Sequence, residues 1–336
     1  MRRFCFIQRY VEVPENLFLH VISKNYKDNY QVDFMTQIEV TFLGTTAGIP
    51  TPHRNHAALY VRHQSEQEYV CLFDCGEGTQ RQIFSAGLNF MRVDDIFITH
   101  WHADHFAGLL GILETMNLEK RTRPLNIFGP EADHFVDTLL ELGYSSKRYN
   151  VVAKPVPFEG SEITTLLETD EFAVCSIPVK HGIPAVAYAL IEKDRVNINK
   201  EKLKGLGLPE RGPMYKKLKD NGSCVINGKT VRLEDVADIE KGKKVVYTGD
   251  TMPCNNIVKI SQGADLLIHD STFFEDDLDT KHANVDEVLD VADKAKVKQL
   301  ILTHISRRYQ NMDEMKEKIA GRENVRIAKD FMKITV

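Results

Sequence analysis

The segment Thr99-His100-Trp101-His102-Ala103-Asp104-His105 places three imidazoles and one carboxylate within six residues. Nitrogen and carboxylate oxygen are donors that divalent zinc prefers. One tetrahedral zinc that keeps a position open for water cannot use all four groups. The spacing therefore suits two metals, with His100 and His102 on one and Asp104 and His105 on the other. Such a site supports attack by a metal-activated water. Two metals need further ligands, and three residues qualify. His181 follows Ile177-Pro-Val-Lys180, Asp250 sits in Gly249-Asp250-Thr251 with two oxygens that can bridge, and His304 closes the set. His20, His53, His56, His63 and His134 follow no comparable segment and read as structural or surface groups, although His53 or His56 could still touch a substrate.

The elements that must position these residues are legible as short apolar runs. Asp95-Ile-Phe-Ile-Thr-His100, Val245-Val-Tyr-Thr-Gly-Asp250, Leu267-Ile-His269-Asp270 and Leu300-Ile-Leu-Thr-His304 each end in a polar reactive residue. In layered α/β folds, chemistry collects at the carboxyl ends of strands, so these four ends are expected to converge. Further strands are expected at 39–43, 57–61, 69–73, 125–128, 185–191 and 325–328. Helical periodicity marks 78–86, 105–116, 131–142, 285–295 and 313–319. Strands alternating with helices give an α/β chain.

Composition sets the outer bounds. The chain has 336 residues, 43% of them hydrophobic and 27% charged, which is globular composition. Forty-three Lys and Arg against 48 Asp and Glu leave a net charge of −5, which argues against a generic nucleic-acid coat. Six cysteines form no CxxC pair and read as reduced thiols of a cytoplasmic protein. Apolar runs are far too short to span a bilayer. Arg2 and Arg3 superficially resemble a signal-peptide start, but Arg9, Glu12, Pro14 and Glu15 break any apolar stretch. Residues 1–35 read as an N-terminal extension of uncertain role. Either Met35 is the natural start or 1–34 are loosely attached.

In collinear order over 36–336, the sequence resembles the short-form tRNase Z (ribonuclease Z) family of the metallo-β-lactamase fold superfamily. The carrying segments are Val40-Thr-Phe-Leu-Gly-Thr-Thr-Ala-Gly-Ile-Pro-Thr51, Leu72-Phe-Asp74-Cys-Gly-Glu-Gly-Thr-Gln-Arg-Gln82 and the HxHxDH loop. To these are added His181, Tyr247-Thr-Gly-Asp250-Thr-Met-Pro-Cys254 and Leu302-Thr-His304-Ile-Ser-Arg-Arg-Tyr309. The resemblance implies a four-layer αβ/βα sandwich with a protruding basic arm. It also implies two Zn2+ per subunit, one on His100, His102, His181 and Asp250 and the other on Asp104, His105, Asp250 and His304. Asp74 would brace the ligand loop, and Asp104 would also accept a proton. His269-Asp270-Ser271-Thr272 stands where the family has His-Glu-Ala-Thr, and His282-Ala283-Asn284 where it has His-Ser-Thr. Pro52 replaces the lysine of the Pro-x-Lys-x-Arg-Asn loop, in which Arg54 and Asn55 would meet RNA.

The resemblance implies removal of the 3′ trailer from precursor tRNA, leaving a 3′-hydroxyl on the tRNA and a 5′-phosphate on the trailer. His282, oriented by Asp270, is the candidate acid for the departing oxygen. Residues 191–220 carry nine basic side chains, Lys216, Lys217 and Lys219 among them, against five acidic ones. This surplus, inserted at about 191–222, resembles the family's tRNA-clamping arm and would make phosphate contacts. A homodimer is expected on the resemblance alone. The competing reading is a small-molecule metallohydrolase of the same fold, such as a lactonase, sulfatase or phosphodiesterase, which has no use for a basic arm.

Overall fold

Strands buried on both faces need cover on both sides, and the chain supplies it in four layers. The structure is a computed structural model; it describes residues 36–65, 67–142, 148–209, 212, 214–274, 281–309 and 312–336. The expected extension at 1–35 lies outside the described residues. Thr36–Val336 forms one compact unit.

The first sheet runs edge to edge as Lys333–Thr335, Gln37–Gly44, Ala58–Gln64, Glu68–Phe73, Asp95–Phe97, Leu125–Gly129 and Val151–Pro155. The second runs as Val325–Ile327, Gln299–Thr303, Leu266–Asp270, Lys244–Tyr247, Val186–Glu192, Phe172–Pro178 and Thr164–Glu168. Each sheet is part antiparallel and part parallel. Between them lies an apolar core in which Phe73 stacks on Tyr188 and Tyr247 across the gap, at ring-centroid separations of 5.8 and 6.1 Å. Helices Thr79–Ser85, Leu109–Leu118 and Ala132–Glu141 cover the outer face of the first sheet. Asn255–Ser261, Val285–Ala295 and Asp313–Lys318 cover the second. This is the expected αβ/βα sandwich.

The helix expected over 105–116 is two, Ala103–Phe106 and Leu109–Leu118. At the break a Cβ on Gly108 would lie 2.1 Å from the Gly76 carbonyl oxygen, so backbone packs directly on backbone there. The Gly108 N–H donates to the Cys75 carbonyl at 2.8 Å. This close seam presses the Asp104-His105 turn against the Asp74-Cys75-Gly76 turn. Helix Val285–Ala295 opens with a reciprocal cap. Asn284 Oδ1 accepts from the Glu287 N–H at 2.9 Å, and Glu287 Oε2 accepts from the Asn284 N–H at 3.0 Å. The cap fixes the chain two residues after His282.

The inserted segment runs on past residue 222. Arg195–Ile198 pairs antiparallel with Ala237–Glu240, enclosing helices Lys200–Gly205 and Met214–Asn221 and the hairpin Ser223–Ile226/Lys229–Arg232. The physical reason is a small core of its own. Leu203, Leu208 and Leu218 bury against Ile226, Val231 and Val236, which all lie beyond 222. Glu210, Arg211 and Pro213, in the turn-rich middle of the basic stretch, lie outside the described residues. Among the described residues, no helix is long and apolar enough to cross a membrane.

Candidate metal centre

The loop after Asp95–Phe97 carries His100 to His105 to one rim of the sandwich. Asp250 and His304 follow the ends of Lys244–Tyr247 and Gln299–Thr303, while His181 follows Phe172–Pro178. The two sheets thus each contribute donors to one place, as the strand ends predicted. His100 Nε2, His102 Nδ1, His181 Nε2 and an Asp250 oxygen form one group, and Asp104, His105 and His304 form a second beside it. In the first, His102 Nδ1 lies 3.0 Å from His100 Nε2 and 3.1 Å from His181 Nε2, and Asp250 Oδ2 is 3.7 Å from His100 Nε2. In the second, His304 Nε2 lies 3.3 Å from His105 Nε2, 3.2 Å from Asp250 Oδ1 and 3.4 Å from Asp104 Oδ2. Donors around a tetrahedral zinc stand about 3.3 Å apart, given bonds of about 2.0–2.1 Å to nitrogen.

The outward ring nitrogens show which atoms face inward. His105 Nδ1–H donates to Asp74 Oδ2 at 2.7 Å, His100 Nδ1–H to Thr99 Oγ1 at 3.1 Å, and His181 Nδ1–H to the Lys281 carbonyl at 3.1 Å. These tautomers follow from the acceptors present. With these protons held outside, the Nε2 lone pairs of His100, His105 and His181 face inward, an arrangement that fits a cation. Asp250 Oδ1 is buried and has no hydrogen-bond partner among the described residues. Such an orphaned carboxylate oxygen between His105 and His304 is the second sign that the residues fit a metal.

Electrostatics agree with this division. Burial pushes His100 well below the ordinary imidazole value, and the neighbouring His105 adds to the effect, so it stays neutral with its lone pair available. Burial likewise lowers His102 and His181. Around the second group, burial acts downward on His304, but Asp250, Asp104 and Asp270 override it and raise the ring to about 10. That crowd of carboxylates calls for positive charge.

Asp74 meets the ligand loop from below. Its Oδ1 accepts from the Thr99 N–H at 2.8 Å, and its Oδ2 accepts from Tyr247 Oη at 2.8 Å in addition to His105. Its backbone is left-handed at φ 59°, as is that of His304 at φ 57°, an uncommon conformation for either residue. Gly249 makes a third such turn at φ 59°, where a Cβ would strike Thr99 at 2.6 Å.

Asp270 and His282 come together despite the acid's missing methylene: His282 Nδ1–H donates to Asp270 Oδ2 at 2.9 Å. Burial works against protonation of His282, but Asp270 outweighs it and raises the ring above its usual value. Asp270 Oδ1 also accepts from Thr272 Oγ1 at 2.6 Å, and that hydroxyl accepts from His304 Nδ1–H at 2.8 Å. One carboxylate therefore orients both histidines. The centre opens into a cavity of about 400 Å3 bordered by His102, Asp104, Asp250, His282 and His304.

Two contacts were invisible in the linear chain. Thr272 relays Asp270 to His304, and its only signal was its place in the His269–Thr272 motif. The Gly48 N–H donates to Asp104 Oδ2 at 2.8 Å, while the Gly48 carbonyl is 3.1 Å from His56 Nε2. The candidate RNA contacts divide. Lys216, Lys217 and Lys219 are exposed around buried Leu218 on helix Met214–Asn221. Arg54 instead donates through Nη1 to Thr45 Oγ1 at 2.7 Å and to the Ala328 carbonyl at 2.9 Å. Asn55 is buried, donating its N–H to Asp330 Oδ2 and its Nδ2–H to the Glu77 carbonyl. These bonds hold the early loop in place.

Comparison with known proteins extends over about nine-tenths of the chain. A family profile described as "Beta-lactamase superfamily domain" matches residues 231–305, and one described as "Anti-Pycsar protein Apyc1" matches 38–170. Ribonuclease Z of Archaeoglobus fulgidus is 40% identical over 310 residues, covering 89% of this chain and 97% of the relative. Ribonuclease Z of Thermococcus kodakarensis is 42% identical over 307 residues, covering 89% and 95%. Among solved structures, human tRNase Z, short form, superposes with a TM-score of 0.63 at 28% identity, covering 88% of this chain and 98% of that one. The metal-ready donor groups and the near full-length likeness lead to one assignment: the chain belongs to the ribonuclease Z family, metal-dependent endoribonucleases of tRNA 3′-end processing.

Proposed function

We propose that this chain removes the 3′ trailer from precursor tRNA with two zinc ions. One would be held by His100, His102, His181 and Asp250, the other by Asp104, His105, Asp250 and His304. The observation that carries this reading is the pair of donor groups with Asp250 between them, beside a cavity that His282 also borders. Asp250 is a member of the first group, and its Oδ1 lies 3.3 Å from His105 Nε2 and 3.2 Å from His304 Nε2 of the second. When bound, the metals supply Lewis-acid chemistry, making water a nucleophile near neutral pH and offsetting charge on the phosphoryl oxygens.

The chain's own residues handle the protons. Asp104, held by the Gly48 amide, takes the proton of the attacking water. The bond from phosphorus to the ribose O3′ breaks, and His282 Nε2 gives that oxygen its proton, while Asp270 holds Nδ1 and stabilises the charged ring. The products are a tRNA ending in a 3′-hydroxyl and a trailer beginning with a 5′-phosphate. Asp74 fixes the tautomer and orientation of His105.

The inserted segment acts as the tRNA-holding arm through Lys216, Lys217 and Lys219. The family resemblance supports a homodimer in which one subunit's arm serves the other's site, working in the cytoplasm. Incubating the purified chain with a 3′-extended precursor tRNA, with and without a chelator, tests the reading. Cleavage just after the discriminator nucleotide that chelation abolishes is expected. Chelator-resistant cleavage, or cleavage without regard to that position, would overturn it.

A further inference from the structure

The cavity continues past the donor groups along a wall that the proton transfers leave unused. Phe273 follows Thr272 directly, and its backbone is pinned by the Val285 N–H donating to its carbonyl at 3.1 Å. Its half-buried ring lies 6.1 Å from the His282 ring, inclined at 66°, and the Arg308 guanidinium stands over it at 5.5 Å. Ile49, 48% exposed, borders the same space. An aromatic ring, a guanidinium plane and an exposed aliphatic side chain are the surfaces on which unstacked nucleobases settle. A cavity of about 400 Å3 is in the range that takes a nucleotide.

We propose that Phe273, backed by Arg308, is the platform for the base of the nucleotide on the 5′ side of the scissile phosphate, the discriminator of a precursor tRNA. This rests on the cleavage reaction proposed above. The choice of nucleotide follows from the leaving group. The O3′ that departs belongs to the 5′-side ribose, and His282 must reach it. The ring beside His282 therefore meets the base carried on that same ribose, one sugar away, and not the first base of the trailer. Phe273 contributes binding and register, so its loss acts on a substrate that has a base at this position.

Single-turnover cleavage by wild type and Phe273→Ala, each on a precursor with a purine discriminator and on one abasic there, tests the coupling. Removing either partner is expected to lower kcat/KM by about 5- to 100-fold, the range for one base–aromatic stack. Removing both is expected to cost no more than removing one, and Phe273→Tyr is expected to restore discrimination between the two substrates. Losses that multiply, or a wild type indifferent to the missing base, would overturn the platform. The wild-type measurement stands even where Phe273→Ala fails to fold. A wild type that cleaves neither precursor overturns the underlying reaction instead.

Discussion

His282 and His304 have ring centroids 5.4 Å apart and rings nearly parallel, yet their surroundings differ. His304 turns Nε2 toward Asp104, Asp250 and His105, among groups that fit a metal. His282 has its Nδ1 on Asp270 and borders the open cavity. Substituting the two should therefore produce different defects. His282→Ala is expected to lower kcat by about 10²- to 10⁴-fold, the usual worth of a general acid, with bound metal unchanged. His304→Ala is expected to lose metal as well as activity. Metal analysis beside single-turnover rates separates these outcomes, and wild-type turnover in His282→Ala would remove it from the proton transfer.

At the scale of elements, the inserted segment is the clearest separable unit. It closes on itself through the ribbon of Arg195–Ile198 and Ala237–Glu240, and at its base Asp194 accepts from the Lys241 ammonium at 2.5 Å and the Gly242 N–H at 3.1 Å. Joining Asp194 to Lys241 should remove the segment without opening the sandwich. Precursor tRNA binding is expected to weaken by at least about 10-fold with a shallower salt dependence, because phosphate contacts go with it. Hydrolysis of a small phosphodiester is expected to hold, and equal losses for both substrates would end the assignment of a holding arm.

The same scale explains what could be read in advance. The runs ending at His100, Asp250, Asp270 and His304 stood out because strands sandwiched between layers are apolar on both faces. Phe172–Pro178 escaped notice because Cys175 and Ser176 interrupt its buried run, and Val151–Pro155 did so because it is a half-exposed edge. The insert's extent was hidden because its core is three residues either side of position 222, too few to set a period. The donor set was legible because metal ligands need particular residue types. The supports were not, since Gly48 reaches Asp104 through a backbone amide and Thr272 reaches His304 through a hydroxyl, groups whose role depends only on where the chain brings them.

For the molecule as a whole, the location of the centre matters as much as its composition. His100, His102, Asp104 and His105 leave the first sheet, while His181, Asp250 and His304 leave the second. An ion bound there would therefore act as a clasp between the two halves, and it would bind only when both are in place. The halves are otherwise joined by apolar packing and a few cross-sheet hydrogen bonds, such as those from Tyr247 to Asp74 and from Tyr188 to the Ile98 carbonyl. Ligands that bind the native state alone stabilise it by about 4 kcal/mol at a thousandfold excess over Kd. Loaded protein should consequently melt several degrees above chelated protein, and the difference should grow with added zinc. Scanning calorimetry on the two forms measures this, and identical melting curves would show that the halves hold together without the clasp. If the shift is found, metal supply sets how long the folded enzyme lasts as well as whether it works.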